Sequence, residues 1–578
     1  MNGSIIVVAH VRDDALRPKV GERLADLESF YLPLGIVDQE HAWHPGTGIV
    51  AERIACAKPR DHAWLWTWGE ALPDELATAD AVLDALPDEL RAIQGMTTAF
   101  AFGRDRARIV SAPSGPATLY EAKGDGIWCC STHAVAAAWV AFGDAGIDPD
   151  SVPEMIAFDF VGGERTLIAG VRALPPATTI AISRHGQSVS TWLSPAERWA
   201  PVPEEEAHAE AERALLASVA ARLAGREVSV ALTAGLDSRV LAVALAEADV
   251  PFDAFTWGAP GWPDTEGAAQ VAQLLGAPHA ILGQTALPAD EVLAEHDRAV
   301  RWADGVFALA PAARTWPPGA DAVASGMGGE TGRAFYYDDW SAWLWPDPPR
   351  NVLADRLAGR AHLPAATLDA AAQADAAVGA WLDAAEQTGA KGWRLLDVAY
   401  ADQRVRRWGR GQVPCVGCAL APAFTPQDLA RALVSQPLRE RLASGFHHRF
   451  LDGRRLELAP YRNEAPSMPP PWLRRGHRLR QSNTRARALG RRPLRQPGDE
   501  FVARLWAERP QALSWVLDHV LVHPLTGGRL GQAWVEWARE GFPRGARRAG
   551  EHARLAAGVV ALDDALAALR HSRRSSAP

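Results

Sequence analysis

The architecture of this chain follows from one segment, Val228-Ser-Val-Ala-Leu-Thr-Ala-Gly-Leu-Asp-Ser-Arg-Val240. Its first five residues form a short apolar run with two β-branched members, which is typical of a buried strand in a parallel sheet. A turn of small residues follows, and the sequence predicts a helix from Ser238 onward. Such a turn leaves the first N–H groups of the helix free, and together with the helix dipole they form an anion site. The segment is not a Walker A loop, because no Gly-Lys-Ser/Thr follows.

Length and composition predict a soluble protein of more than one domain. The chain has 578 residues, of which 48% are apolar and 22% charged, so two or more domains are expected. A formal net charge of −9 argues against a surface that binds nucleic acid. Five cysteines form no disulfide framework, and neither a signal peptide nor a membrane-length apolar run is found. We therefore expect a cytoplasmic protein that contacts no membrane. Lysines are rare and occur only at Lys19, Lys58, Lys123 and Lys391.

Strands and helices alternate downstream of the opening segment. Phe252–Gly258 and His279–Leu282 read as strands, and Thr265–Leu275 reads as a helix closed by Gly276. A further short strand leads into the glycine-rich turn Ser325–Glu330. This alternation predicts right-handed crossovers and a parallel, doubly wound α/β sheet.

Three motifs in this region resemble those of adenylating enzymes related to asparagine synthetase and β-lactam synthetase. The loop Thr233–Ser238 resembles their pyrophosphate loop, in which Ser-Gly is usual where this chain has Thr233-Ala234. The second piece, Phe252-Asp-Ala-Phe-Thr-Trp-Gly-Ala-Pro-Gly-Trp-Pro-Asp264, is similar to the second strand and loop of the family. In the third, Ser325-Gly-Met-Gly-Gly-Glu330, a glutamate stands where the family has an aspartate.

The resemblance implies a site for ATP and Mg²⁺. Mg²⁺ is usually held by one or two carboxylates plus substrate phosphates, and Asp237 and Glu330 are the implied metal ligands. Each follows a parallel strand, so the two are expected to converge at the crevice where such sheets bind ligands. The catalytic set is Asp237, Ser238, Glu330 and Arg462, with Arg462 standing in for a family lysine. The cofactor-binding set adds Ala231, Leu232, Thr233, Ala234, Gly235, Trp257, Ser325 and Gly326, with Trp257 against adenine.

Residues 1 to about 200 read as mostly β-structure. The pieces Gly115–Tyr120 and Thr166–Pro176 resemble landmarks of the glutaminase domain of asparagine synthetases, an Ntn-hydrolase-like fold. Working glutaminases of that family carry a nucleophilic cysteine after the initiator methionine, whereas this chain has Asn2. We therefore expect a domain without glutaminase chemistry. The predicted strands lie at residues 5–8, 100–102, 108–110, 127–130 and 179–182.

The rest of the chain gives weaker indications. Asp402–Trp408 and the Gly-Gly-Glu-Thr-Gly-Arg form of the third motif resemble the lasso-peptide cyclase branch. The arginines of that stretch either pair with triphosphate or an acidic substrate, or they belong to a salt-bridged structural helix. Cys415-Val-Gly-Cys418 is half of a possible zinc site, and buried thiols are favoured. The arginine-rich stretch 474–495 favours a solvated face or a surface for an acidic peptide over nucleic-acid binding.

These observations predict an inactive glutaminase-like domain at 1–203, an ATP-pyrophosphatase domain at 204–475 and an arginine-rich, helical extension at 476–578. The resemblance implies that an Asp or Glu side chain of a precursor peptide is adenylated and then attacked by the N-terminal amine of that peptide. A leader peptidase and leader-recognition proteins are the implied further partners. An ammonia-dependent asparagine synthetase, a β-lactam-forming ligase and a non-catalytic peptide scaffold stay open as alternatives. The precursor, the ring size and the oligomeric state do not follow from the sequence.

Overall fold

The fold is taken from a computed structural model of the chain. The structure describes residues 4–11, 13–34, 38–44, 48–55, 65–69, 72–124, 126–282, 284–286, 289–306, 312–314, 317, 319–337, 342, 345–358, 368–412, 419–452, 454, 510–543 and 547–576.

The N-terminal region contains two antiparallel sheets. The first has the order β2-β3-β1-β8-β7-β9, and the second has the order β11-β10-β6-β5-β4. All five strands predicted for this region are confirmed. The strands are β1 Ser4–Val11, β2 Asp38–His44, β3 Ile49–Ala55, β4 Leu65–Gly69, β5 Thr97–Phe102, β6 Arg106–Val110, β7 Tyr120–Gly124, β8 Ile127–Ser131, β9 Arg172–Ala173, β10 Thr178–Ser183 and β11 Gly186–Thr191.

Side-chain alternation along β5 explains how the two sheets stack. Phe100 and Phe102 pack in one core with Ile5 and other residues of the first sheet. Ala99 and its alternate neighbours face the opposite way, toward a second, smaller core under α2. Both faces of this strand are therefore buried, as expected for an inner layer. The helices of the region are α1 Arg17–Tyr31, α2 Ala79–Asp84, α3 Pro87–Leu90, α4 Ala134–Phe142, α5 Val152–Phe158 and α6 Pro195–Arg198.

The outer face of the first sheet is covered by α1 and α4. The helix α4 is apolar on all sides and buried along almost its whole length, which is typical of a helix inside a large core. The sequence did not predict it, because an all-apolar run carries no helical periodicity. The N-terminal region is thus a sandwich of two sheets with helices on both outer faces.

The second region is built on a five-stranded sheet in which every neighbouring pair is parallel. Its order is β14-β13-β12-β17-β18, so the chain starts in the middle, runs to one edge and then crosses to the other side. The point of reversal lies between β12 and β17. Such a switch point opens a crevice at the carboxyl ends of the strands. The strands are β12 Val228–Ala231, β13 Phe252–Trp257, β14 His279–Leu282, β17 Ala322–Ser325 and β18 Ala419–Pro422, and a separate hairpin is formed by β15 Gln284–Ala286 and β16 Ala312–Arg314.

Helices surround this sheet, and the parallel α/β prediction is confirmed. The helix predicted before Gly276 begins at Pro263. The last strand, β18, was not predicted. The helices are α7 Ala207–Leu223, α8 Leu236–Glu247, α9 Pro263–Leu275, α10 Ala289–Ala303, α11 Arg350–Ala358, α12 Leu368–Glu386, α13 Arg394–Ala399, α14 Gln427–Ser435, α15 Leu438–Leu442 and α16 Gly445–Asp452.

The C-terminal helices return to the N-terminal region. The longest of them, α20 (Arg547–Ser576), packs against α1, α5 and α10. Its Arg573 donates from Nη1 to the backbone carbonyl of Gly143 at 2.6 Å. Within the described ranges, no helix combines the length and apolarity that a membrane crossing needs. The helices are α17 Pro510–Trp515, α18 Gly527–Leu530, α19 Gln532–Gly541 and α20 Arg547–Ser576. The predicted domain boundaries stay predictions, and the one near 475 falls outside the described residues.

Candidate active site

Two acidic residues lie at the switch point of the parallel sheet. Asp237 is in the first turn of α8, directly after β12, and Glu330 is in a 3₁₀ turn, Gly329–Gly332, that follows β17. Since β12 and β17 are hydrogen-bonded neighbours, both residues emerge at the same edge of the sheet. The turn that carries Glu330 lies against Asp237, since a Cβ on the neighbouring Gly329 would be 2.3 Å from the Asp237 carboxylate. Burial raises the pKa of Glu330, and the negative charge of Asp237 adds to the rise. The structure brings together the two residues that the sequence predicts as metal ligands.

Glycines in the second turn allow this close approach. A Cβ atom added to Gly329 would lie 2.3 Å from both Cγ and Oδ1 of Asp237, and one added to Gly326 would lie 2.9 Å from the backbone nitrogen of Ser238. Real Cβ atoms essentially never approach other heavy atoms within 3.0 Å. The turn therefore lies directly on the N-terminus of α8, and only glycine fits at these two positions.

The loop between β12 and α8 is held by its own hydroxyl groups. The backbone N–H of Thr233 donates to Ser238 Oγ at 3.1 Å, and the two hydroxyl oxygens are 3.0 Å apart. The N–H of Gly235 donates to Thr233 Oγ1 at 3.0 Å. Thr233, Gly235 and Ser238, which the sequence predicts as the pyrophosphate cradle, form one compact turn.

The motif Pro-Gly-x-Pro-Asp contributes a residue to this loop that sequence reasoning missed. Asp264 accepts a hydrogen bond from the backbone N–H of Ala234 at 3.1 Å. One turn further along α9, a Cβ added to Gly267 would lie 2.5 Å from the Cβ of Ala234. The methyl group that distinguishes Ala234 from the usual glycine therefore occupies space that the glycine at 267 leaves open.

Asp237 lies against two cationic or titratable side chains. Arg333 Nη1 donates to Oδ2 at 2.8 Å. His447 Nε2 lies 2.8 Å from Oδ1, but this contact lacks hydrogen-bond geometry and Oδ1 has no hydrogen-bond partner among the described residues. Burial alone would raise the pKa of Asp237, but the positive charge of Arg333 and the contact with His447 outweigh it and hold the pKa well below its usual range. His447 is itself fully buried and stacks on Phe424 with ring centroids 5.2 Å apart. The sequence predicts neither contact. Arg333 ends the third motif but has no role assigned by it, and His447 is distant in sequence and belongs to no motif.

Glu330 is in a different electrostatic state. Burial, followed by the charge of Asp237, raises its pKa, while Arg333 and a hydrogen bond from the Tyr400 hydroxyl at 2.8 Å oppose the rise. Tyr400 begins a π-helical segment, Tyr400–Val405, and such segments are rare and frequently occur at functional sites. The pair thus combines one firmly ionised carboxylate with one that protonates more readily, a contrast typical of active sites.

The remaining predicted nucleotide contacts also lie at the carboxyl edge of the sheet. Ala231 ends β12, and Leu232 is fully buried with its carbonyl accepting from Thr256 Oγ1 at 2.7 Å. Trp257 ends β13, is half-buried, and packs edge-on against Phe255 at 5.0 Å. Ser325 ends β17, and its buried Oγ has no hydrogen-bond partner among the described residues. An unsatisfied hydroxyl at this edge is free to bind a ligand.

The donor set fits a magnesium–nucleotide complex. Within the part of the chain that the structure describes, no group of three or more His, Cys, Asp and Glu side chains is arranged to hold a metal ion. Mg²⁺ does not require such a cage, because one or two carboxylates suffice when phosphate oxygens complete the octahedron. Asp237 and Glu330 supply those carboxylates, next to the N-terminus of α8 and the hydroxyl of Ser325.

Two arginines of the stretch 402–408 bind backbone carbonyls of the N-terminal region. Arg407 donates to the backbone carbonyls of Val161 and Arg165 at 2.9 and 2.8 Å, and Arg406 donates to that of Leu174 at 2.9 Å. Both guanidinium groups are buried and bind the N-terminal region. For Arg406 and Arg407 the structure supports a structural role, through backbone carbonyls and not through salt bridges.

Several predicted features lie outside the described residues. These are Asn2, the catalytic candidate Arg462, the pair Cys415 and Cys418, and the arginine-rich stretch 474–495. Their roles stay predictions.

Comparison with known families adds one assignment. Residues 210–387 match the asparagine synthase family model. The matched segment begins in α7 and contains β12, α8, β13, β17 and the turn with Glu330, so the asparagine synthase match and the candidate site coincide. It supports the predicted superfamily for this part of the chain but does not distinguish one branch from another.

The other comparisons are uninformative about function. No curated protein matches the chain. Two of the matching solved structures are the glutamine phosphoribosylpyrophosphate amidotransferase from B. subtilis in complex with ADP and GMP and an allosteric regulatory enzyme of purine biosynthesis. The first is 9% identical over 49% of this chain and 83% of its own, and the second is 8% identical over 49% and 82%, both with a TM-score of 0.22. Values this low support no argument about this chain.

Proposed function

We propose that the protein is an ATP-dependent carbon–nitrogen ligase that activates a carboxylate as its adenylate and transfers it to an amine, releasing AMP and pyrophosphate. The observation that carries this proposal is the pair Asp237 and Glu330 at the switch point of the parallel sheet, next to the N-terminus of α8 and within the asparagine synthase match. A helix N-terminus of this kind favours phosphate groups.

The residues of the site have complementary tasks in this reaction. Asp237 and Glu330 would hold Mg²⁺, and the bound ion would supply charge neutralisation for the pyrophosphate leaving group. The turn Thr233–Ser238 and the first turn of α8 receive the phosphates, while Ser325 and Trp257 contact the nucleoside. The substrate carboxylate attacks the α-phosphorus, and the bond to the bridging oxygen breaks to release pyrophosphate. The amine then forms the amide bond and AMP leaves. Catalysis of this kind rests mainly on positioning and charge neutralisation.

The substrate that we propose is a precursor peptide whose Asp or Glu side chain is joined to its own N-terminal amine, as in lasso-peptide cyclisation. Support comes from the resemblance of the stretches 328–333 and 402–408 to that branch, and from Asn2 in place of a glutaminase cysteine. An amide side chain is not a nucleophile that can take nitrogen from glutamine. The amine must then come from another source, and a peptide N-terminus meets that requirement.

The reaction is tested by incubating the protein with ATP, Mg²⁺ and a leader-cleaved precursor peptide. The proposal predicts a cyclic product lighter than the peptide by one water, together with AMP. Release of ADP and phosphate would reject the adenylation mechanism.

The choice of substrate and the ATP–pyrophosphate exchange reaction distinguish this proposal from two alternatives, a small-molecule ligase and a non-catalytic scaffold. AMP release with free aspartate and ammonia, or with a small β-amino acid, would assign a small-molecule ligase instead. Peptide binding without any ATP–pyrophosphate exchange would assign a non-catalytic scaffold. The retained carboxylate pair and the intact hydroxyl turn favour an enzyme over that scaffold.

A further inference from the structure

Asp237 already has a positively charged partner where a metal ion would have to bind. Arg333 Nη1 donates to Oδ2 at 2.8 Å. His447 Nε2 lies 2.8 Å from Oδ1, but Oδ1 accepts no hydrogen bond of acceptable geometry among the described residues. The side chains of Arg333 and Asp237 are 16% and 17% exposed, so this ion pair is shielded from water and is not a weak surface contact. A divalent cation cannot use the carboxylate fully while Arg333 holds Oδ2.

The two partners differ in how easily they can move. His447 is buried, stacks on Phe424 and contacts Phe446 edge-on, with ring centroids 5.6 Å apart. Arg333 lies at the end of the glycine-rich turn and donates from Nε to Ser444 Oγ at 3.3 Å, a longer bond to a neutral group. A long side chain on a turn can change rotamer without disturbing a core. Arg333 is therefore the partner that can leave, while His447 keeps Asp237 oriented.

Arg333 would not leave the site when it leaves Asp237. It stands three residues after Glu330, directly after the 3₁₀ turn Gly329–Gly332. Its charge acts directly on Glu330 as well as on Asp237. The guanidinium thus remains beside the N-terminus of α8, where the phosphates of ATP bind in our mechanism. Arginine is well suited to paired hydrogen bonds with phosphate oxygens.

We propose that Arg333 is the resident counter-ion of Asp237, yields that carboxylate to the divalent cation as ATP enters, and then becomes the catalytic cation that contacts the nucleotide phosphates. This inference rests on the proposed adenylating function. It also supplies a cation in a chain that has no lysine after Lys391.

The test uses Mn²⁺ as a spectroscopic stand-in for Mg²⁺ and compares Arg333→Met with the wild-type protein. Without nucleotide, the variant should bind Mn²⁺ about tenfold more tightly, because a competing positive charge has gone. Its AMP formation should fall about 100-fold, because a group that stabilises phosphate charge has gone. The first readout is the electron paramagnetic resonance titration of free Mn²⁺, which does not depend on turnover.

A purely structural role for Arg333 predicts that Arg333→Met does not bind Mn²⁺ more tightly than the wild-type protein. If the arginine only holds the turn against α8, Arg333→Met loosens the carboxylate pair and Mn²⁺ binding weakens or stays the same. Either result would overturn the inference. The matched control is Arg213→Met, whose side chain is 70% exposed and pairs with Glu210, and which should change neither readout.

A second variant keeps the test open if Arg333→Met does not fold. Arg333→Lys retains the charge but not the paired geometry, so Mn²⁺ affinity should stay near that of the wild type while AMP formation falls about tenfold. Tighter Mn²⁺ binding by this variant would contradict the charge-competition account. If the wild-type protein binds Mn²⁺ but releases no AMP, the proposed function is refuted. The competition between Arg333 and the divalent cation is still tested by the Mn²⁺ affinities of the variants.

Discussion

At the scale of single residues, glycines set the distance between the two halves of the candidate site. The turn that carries Glu330 touches the helix that carries Asp237 through Gly326 and Gly329, and each position leaves no space for a side chain. Glycine is the residue that permits such an approach of backbone to a neighbouring group. The motif Gly-x-Gly-Gly is therefore a packing requirement as well as a family signature.

We expect Gly329→Ala to displace the carboxylate of Asp237, because the new methyl group would overlap with its Cγ and Oδ1. AMP formation should fall at least about 100-fold, since misplacement by about 1 Å is enough for such a loss. The control is Gly379→Ala, which lies inside α12 with no neighbouring atom within 4 Å. That change should leave AMP formation intact and raise stability slightly. Wild-type turnover by Gly329→Ala would show that the two turns do not need to touch.

The contact between Gly267 and Ala234 predicts that a substitution at one position compensates for a substitution at the other. Gly267→Ala should destabilise the fold by about 1–3 kcal/mol, because its Cβ would overlap with that of Ala234 and the tight contact cannot relax freely. Adding Ala234→Gly should remove most of that cost. A double-mutant cycle of denaturant unfolding measures the coupling. Additive effects of the two changes would mean that the helix and the loop are not in contact.

At the scale of elements, the segment from Tyr400 to Gln412 links the candidate site to the N-terminal region. At its start, the π-helical turn places the Tyr400 hydroxyl on Glu330. Further along, the carboxylate of Asp402 accepts hydrogen bonds from both Nη atoms of Arg198. Arg410 Nη2 lies 2.6 Å from His133 Nε2. One continuous element therefore contacts a candidate metal ligand and the core of the preceding region.

We expect Arg407→Met to weaken this junction. Its buried guanidinium satisfies two backbone carbonyls, of Val161 and Arg165, and removing it leaves both acceptors unpaired at a cost of about 2–4 kcal/mol. The midpoint of denaturant unfolding measures the loss. The control is Arg431→Met, which pairs at the surface with Asp428 and should cost less than about 1 kcal/mol. Equal effects of the two changes would contradict an anchoring role for Arg407.

At the scale of the whole molecule, the N-terminal region is fixed to the synthetase-like region through buried contacts. A Cβ on Gly162 would lie 2.2 Å from Nε1 of Trp381 in α12, and the N–H of the same glycine donates to Glu154 at 2.7 Å. The N-terminal region is thus an integral part of the fold, and it supports the segment 400–412.

The junction should depend on pH. Burial raises the pKa of Glu154 from 4.5 to about 7, with Asp148 adding to the rise and Gly162, Arg165 and Arg407 opposing it. The folded state therefore holds this proton more firmly than the unfolded state. The stabilisation is complete below about pH 4.5 and is lost as the pH rises through about 7.

We expect Glu154→Gln to remove part of this pH dependence, since a neutral amide can still accept from Gly162 at every pH. The variant should gain about 1–3 kcal/mol relative to the wild-type protein between pH 5 and pH 8. Unfolding by urea at the two pH values measures the change. A constant difference between the two proteins would show that Glu154 does not titrate in this range.

Much of the architecture could be predicted from the sequence, because buried strands, helix ends and glycine turns leave local patterns. The strand–turn–helix at Val228–Val240 and the turn at Glu330 lie at one sheet edge as expected. What surrounds them could not be predicted. Arg333 reaches Asp237, His447 reaches Asp237 and Tyr400 reaches Glu330 only through tertiary packing. A π-helical turn has no periodic signal that separates it from an α-helix. The sequence did not decide between a binding and a structural role for Arg406 and Arg407 for the same reason. A positive charge in the sequence does not show that its hydrogen bonds go to backbone carbonyls.

The most direct test of the carboxylate pair as an adenylating centre is ATP–pyrophosphate exchange with the leader-cleaved peptide, for the wild-type protein and for Asp237→Ala. Our account predicts exchange by the wild-type protein and a loss of at least about 1000-fold in the variant, with unfolding behaviour largely retained. Exchange at the wild-type rate by Asp237→Ala, or its absence from a folded wild-type protein supplied with peptide and Mg²⁺, would contradict it.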